Sequence, residues 1–134
     1  MISKHITFEE ATFSATSIRL KIDNSPNSLI QQNMRKVAEE CFEPLREWYG
    51  KPIRINSFYR SPDLNKAVGG SKTSQHTLGQ AIDISAGSNN ENKKLFDFCK
   101  SNLDFDQLIN EYDYLWVHIS YKSQGNRKQI LIVK

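Results

Sequence analysis

Apolar residues recur along this chain with two different periods, and the change of period marks out its elements. Between Ser28 and Tyr49 the positions Ile30, Met34, Val37, Cys41, Leu45 and Trp48 fall at steps of three and four, the spacing of one helix face. Pro44 lies inside that run. It has no N–H to give the preceding turn, so a kink or a break into two pieces is expected there. Upstream, Thr7-Phe8-Glu9-Glu10 reads as a cap followed by a short helix within Ile6–Ser17. Asn24-Ser25-Pro26-Asn27-Ser28 reads as a turn or loop. After Gly50-Lys51-Pro52 the period becomes two, and Ile53-Arg54-Ile55-Asn56-Ser57 alternates like a strand. Tyr59 to Thr73 is irregular, punctuated by Ser61-Pro62 and Gly69-Gly70. A strand from Gln80 to Ser85 follows, then a helix from Asn89 to Leu103 with Leu95, Phe96, Cys99 and Leu103 on one side. Phe105–Glu111, Leu115–Tyr121 and Gln129–Val133 read as three further strands. Helices come first and the later strands can pair as hairpins. This order predicts an α+β fold: one domain over residues 1–134, with a mostly antiparallel sheet and helices packed on one side.

Composition narrows the class. With 134 residues, 38% hydrophobic and 25% charged, the chain resembles a soluble globular protein able to bury a core without disulfides. Cys41 and Cys99 lie far apart within helical patterns, so they are expected as two buried free thiols rather than a zinc knuckle. The longest apolar runs, such as Ile130-Leu131-Ile132-Val133, are far too short to cross a bilayer. Met1 to His5 leads into polar sequence without a secretory apolar stretch, so synthesis in the cytosol is expected, with export only by another route. A net charge of +3 favours anionic surroundings such as a cell-wall polymer. The basic residues are scattered, without a basic stripe bearing exposed aromatics, so nucleic acid is not an expected partner. Lys122, Arg127 and Lys128 read as a solvated turn, and the chain as a monomer.

Three histidines matter most for chemistry. His5, near a terminus among polar residues, is expected to be exposed. His76 stands in Ser74-Gln75-His76-Thr77-Leu78-Gly79-Gln80-Ala81-Ile82-Asp83, a glycine-containing turn followed by a strand. Asp83 is out of place there: a carboxylate among Ala81, Ile82 and Ile84 must be paired or bind a metal. In Trp116-Val117-His118-Ile119-Ser120, Val117 and Ile119 point one way while Trp116, His118 and Ser120 point the other. Two imidazoles and a carboxylate form a three-ligand set suited to Zn²⁺, whose catalytic sites keep a fourth position open. On these residues alone, a half-buried strand histidine and a turn-capping aspartate are the favoured reading, because lone histidines rarely mark metal sites.

The extended pattern decides between them. Tyr59-Arg60-Ser61-Pro62, Gly69-Gly70, Ser74-Gln75-His76 through Gly79 and Ala81 to Asp83-Ile84, and Trp116-Val117-His118 together resemble the zinc D-alanyl-D-alanine carboxypeptidases. That group includes the L-alanyl-D-glutamate endopeptidases used by many bacteriophages as endolysins, and is related in fold to the zinc site of hedgehog signalling domains. The resemblance, from about Phe8 to Tyr121, implies zinc bound by His76, Asp83 and His118, and peptidoglycan stem or cross-link peptides as substrate. It also implies that Arg60 faces that substrate, where a guanidinium can grip a carboxylate or support a growing oxyanion. Ser74 can add a hydrogen bond to substrate or stabilise its turn, and Tyr59 and Trp116 can line the groove or pack the sheet edge. A zinc-stabilised module without turnover, such as part of a phage particle, is the alternative.

The general base is where the chain departs from part of that family. Several relatives carry an acidic residue three positions before the final histidine; here that position is Leu115. Glu111 and Asp113 are the nearby carboxylates. An even-length hairpin loop, such as Asp113-Tyr114, places Glu111 opposite Trp116 and Ile109 opposite His118. Gln107, Glu111, Trp116, His118 and Ser120 then share one face. Leu108, Leu115, Val117 and Ile119, with Tyr112 and Tyr121, form the core side. An odd loop would bury Glu111 among Val117 and Ile119 with no visible partner. The even register is expected, with Glu111 as base and Asp113 ranked second.

Overall fold

In the computed structural model, which describes residues 1–134, five strands form one sheet. They are β1 (Arg54–Ser57), β2 (Ala81–Ser85), β3 (Gln107–Glu111), β4 (Trp116–Ser120) and β5 (Gln129–Val133), in the spatial order β1-β2-β4-β3-β5. Every neighbouring pair is antiparallel except β3 and β5, which run parallel. This is a small α+β domain with a mostly antiparallel sheet. No helix is long and apolar enough to cross a membrane.

The strand pleat sorts the two faces. Ile82 and Ile84 of β2, Val117 and Ile119 of β4, and Leu108 of β3 are buried in one cluster with Met34, Val37, Phe42, Leu45, Leu95 and Cys99 from the helices. Each such side chain contributes about 1.5–3 kcal/mol by leaving water. The intervening residues, Asp83, His118 and Glu111 among them, face the other way. Cys41 and Cys99 are buried free thiols, as expected, and burial pushes the Cys99 thiol up to about 12.

The helices follow local chemistry. Helix α1 (Phe8–Thr12) opens with the capping box of Thr7 and Glu10. A second short helix, α2 (Ala15–Leu20), is capped by Ser14 and was not expected. The long apolar run divides into α3 (Ser28–Val37), a π-helical turn (Ala38–Phe42) and α4 (Glu43–Tyr49). The wide turn is closed by Glu43 N–H on the Ala38 carbonyl and absorbs the donor missing from Pro44, which sits in the first turn of α4. Trp48 leaves the buried stripe; half exposed, it stacks on Phe98 at 4.4 Å between ring centres. Between Tyr59 and Thr73 the chain is not wholly irregular. Ser61 accepts from Leu64 N–H and Pro62 occupies the first turn, so Ser61-Pro62 starts helix α5 (Pro62–Ala67) rather than a turn.

Helix α6 (Asn89–Asn102) supplies the pin between the strands. Its buried Asn92 accepts from Ala86 N–H at 2.6 Å, and its amide donates to Ser85 Oγ and to the Tyr114 and Leu115 carbonyls. The β3–β4 hairpin keeps the expected register, Glu111 opposite Trp116 and Ile109 opposite His118, but through the longer, still even turn Tyr112–Leu115. Leu115 and Tyr112 are half exposed on that turn, not in the core. Tyr112, Asp113 and Tyr114 all adopt left-handed φ values of 54° to 61°, a conformation that costs side-chain-bearing residues energy. Asn110 Oδ1, accepting from Tyr114 N–H at 2.6 Å, helps to hold them there.

Asn92→Ala would strip partners from one buried N–H and two carbonyls. It should lower the unfolding free energy by about 3 kcal/mol, read as a fall in urea midpoint. An unchanged midpoint would contradict the pinning role.

Candidate metal centre

Antiparallel pairing sets Asp83 directly beside His118 on the face away from the core. The third member arrives from a 3₁₀ turn, Gln75–Leu78. Ser74 Oγ caps this turn by accepting from His76 N–H, and Arg60 N–H donates to the His76 carbonyl. Gly79 closes it at φ 71°, and a Cβ there would meet Ile30 and Met34 at 2.8 Å. Glycine is required on both counts.

His76 is almost fully buried. Its Nδ1 lies 2.7 Å from the Phe58 carbonyl oxygen, which can only accept, so Nδ1 carries the proton. Nε2 then presents a lone pair to Asp83 Oδ2 at 3.1 Å. Two acceptors at that distance repel unless a cation, a proton or a metal ion, lies between them. His118 Nδ1 faces the other oxygen, Oδ1, at 2.9 Å. The ligating atoms of His76, Asp83 and His118 all lie within 4.8 Å of one another. Burial pushes the Asp83 carboxyl up, but the two imidazoles together outweigh it and hold the group well below the ordinary carboxylate range. Two imidazole nitrogens and one anionic oxygen fit the preferences of Zn²⁺.

These residues line a cleft of about 530 Å³ together with Arg60, Ser74, Gln107, Glu111, Tyr112 and Trp116. Glu111 is oriented by Trp116, whose indole N–H donates to Glu111 Oε2 at 2.8 Å, and that oxygen lies 3.9 Å from His118 Nδ1. Arg60 donates one N–H to Ser74 Oγ at 3.3 Å, leaving most of its guanidinium donors free. Burial lowers its pKa, against the pull of Asp83 and Glu111.

Other expected members stand elsewhere. Tyr59 is a core residue, 5% exposed, and does not line this cleft. Asp113 sits on the β3–β4 turn, outside the cleft, where its carbonyl accepts from Asn89. Ser120 shares the site face but is fully buried, accepting from Gln107 N–H. His5 is half buried, 2.6 Å from the Glu43 carboxylate, rather than free in solvent.

Two contributors escaped sequence reasoning. Tyr112 packs edge-on against Trp116 at 5.2 Å; the left-handed turn that brings it there leaves no trace in apolar periodicity. Asp106 is fully buried and binds the Arg127 guanidinium at 2.9 and 2.8 Å, the Arg127 N–H at 3.1 Å and Lys122 at 3.5 Å. Arg127 and Lys122 are therefore tied to Asp106, while Arg127 stays half exposed and Lys128 exposed, as a solvated turn would have them. Gln75 also donates to Asp106 at 3.1 Å, so the turn carrying His76 is braced from below.

Residues 4–120 match the family described as Peptidase M15. Over 38 residues the chain is 47% identical to the zinc D-Ala-D-Ala carboxypeptidase of Streptomyces albus G. That stretch is 28% of this chain and 15% of the length of that protein.

The hydrogen bond from Arg127 holds the Asp106 carboxyl well below its ordinary value, against the effect of burial. A depressed native pKa stabilises the fold fully above the unfolded value of about 3.9, and the contribution fades as pH falls below it. Wild-type stability should drop between about pH 5 and pH 2 more steeply than that of Asp106→Asn. Parallel curves would show that the pair contributes no pH-dependent stability.

Proposed function

The chain belongs to the peptidase M15 family, and we propose that it is a zinc metallopeptidase hydrolysing peptide bonds in the stem or cross-link peptides of bacterial peptidoglycan. The family match and the partial likeness to a zinc D-Ala-D-Ala carboxypeptidase support the substrate class and the metal. The reading includes cleavage of the D-Ala-D-Ala or the L-Ala-D-Glu type, in a phage- or prophage-type lysis setting.

The observation that carries the proposal is the position of Glu111. A carboxylate oriented by an indole N–H, on the same cleft wall as two imidazoles and an aspartate, is placed for proton transfer as well as for binding. His76, Asp83 and His118 would hold the zinc. When bound, zinc supplies a Lewis acid that polarises a carbonyl and makes water a competent nucleophile near neutral pH. Glu111 accepts the proton that water loses as its oxygen bonds to the scissile carbonyl carbon. It then delivers that proton to the amine nitrogen as the C–N bond breaks. Arg60, steadied by Ser74, donates hydrogen bonds to the developing oxyanion or to a substrate carboxylate. Trp116 keeps Glu111 turned toward the cleft, so its part in the reaction is positional.

Glu111→Gln should retain zinc and melting temperature while losing about 10²–10⁴-fold in hydrolysis of purified peptidoglycan peptides, the usual scale of a general base. Asp113→Asn should hydrolyse like wild type. The opposite pattern, with Asp113 essential and Glu111 dispensable, would overturn the assignment of the base. A wild-type protein that binds zinc and releases no new peptide termini, assayed by mass spectrometry, would replace the enzyme with a binding module.

A further inference from the structure

The open face of the sheet extends beyond the metal cluster. Register places Arg54 of β1 opposite Ser85 of β2, and Trp116 of β4 opposite Glu111 of β3. Continuing the β2–β4 register by one residue sets Ser85 beside Trp116. Arg54, Ser85, Trp116 and Glu111 therefore form one row across four strands, adjacent to the row that holds Asp83 and His118. On the β1 side of Trp116 lies a depression of about 650 Å³, lined by residues including Arg54, Asn56, Ser85, Gly87, Leu115 and Trp116. Trp116 is thus a wall shared between this depression and the catalytic cleft.

The charge in the depression is one-sided. None of its nine lining residues is acidic, and Arg54 is its single charged group. Arg54 is exposed and takes part in none of the ion pairs of the molecule. An unpaired guanidinium that lines one depression with an indole and the half-exposed Leu115 suits a carboxylate carried on a short apolar peptide.

Spacing says which carboxylate. Two inter-strand steps of about 4.8 Å and one pleat repeat of about 7 Å put the Arg54 backbone roughly 12 Å from that of His118. An extended peptide advances about 3.3 Å per residue, so a group held by Arg54 lies between about three and four residue lengths from one reacting at the cluster. In a stem peptide cut at its D-Ala-D-Ala end, the D-glutamyl α-carboxylate hangs at about that distance.

Resting on the peptidase reading above, we propose that the depression beyond Trp116 is a second substrate subsite, in which Arg54 binds the D-glutamyl α-carboxylate of the stem peptide. The test uses two synthetic pentapeptides, L-Ala-γ-D-Glu-L-Lys-D-Ala-D-Ala, with that carboxylate free or amidated. Zinc-loaded wild type should favour the free form by about tenfold in kcat/KM, the effect of one charge-assisted hydrogen bond. Arg54→Gln should lose that preference through KM, with kcat, zinc content and turnover of the amidated peptide unchanged, and Arg54→Lys should restore part of it. A preference that survives in Arg54→Gln, or a variant that loses kcat on both peptides alike, would overturn the subsite. If wild type cleaves neither peptide, the peptidase reading fails, and calorimetric binding of both peptides then decides on Arg54. A carboxylate preference lost in Arg54→Gln sustains the subsite; equal affinities in the two proteins overturn it.

Discussion

Asp83 is a carboxylate set between the core residues Ile82 and Ile84, and leaving it uncompensated there would be costly. The sheet meets that cost by pairing Asp83 with His118 in register, while the capped turn after Ser74 swings His76 onto its second oxygen. The Phe58 carbonyl fixes the proton on His76 Nδ1, so the nitrogen facing Asp83 has only a lone pair to offer. The His76–Asp83 contact, lone pair against carboxylate, thus needs a cation between its atoms, and backbone pairing, a tight turn and a single carbonyl hold it together. Zinc, the metal indicated by family and donor set, is the cation such an arrangement suits.

Around that centre, each neighbour serves the geometry of another. Trp116 orients Glu111, walls off the depression that holds Arg54, and is itself flanked by Tyr112. Asp106 braces the His76 turn through Gln75 and anchors the segment after β4 through Arg127. Asn92 fastens the end of β2 to the turn between Glu111 and Trp116. The apolar face gives the sheet its stability, and these buried polar contacts give the opposite face its precision.

Much of this was readable from residues alone because strands alternate with a period of two. Once Val117 and Ile119 are assigned to the core, His118 must face the other way, and an even turn puts Glu111 on the same face as Trp116 and His118. The turn is four residues and not two, yet the register survives because both are centred on Asp113-Tyr114. Elements shorter than two helical turns were less legible. Helices α2 and α5 begin at Ser14 and at Ser61-Pro62, residues that serve turns and helix caps equally. Tyr59 shows the limit of motif reading, since its neighbour Arg60 reaches the cleft while Tyr59 itself is buried in the core. The Asp106–Arg127 pair spans 21 residues and follows no periodicity, so only the folded chain reveals it.

The central claim is that His76, Asp83 and His118 enclose one zinc ion, and crystals grown with stoichiometric zinc test it most directly. Anomalous diffraction across the zinc edge should give one strong peak per chain, bonded to His76 through Nε2, to His118 through Nδ1 and to the Asp83 carboxylate, at about 2.0–2.2 Å. A peak lying elsewhere, or no ordered peak while Asp83 keeps its direct contacts to both imidazoles, would contradict the account.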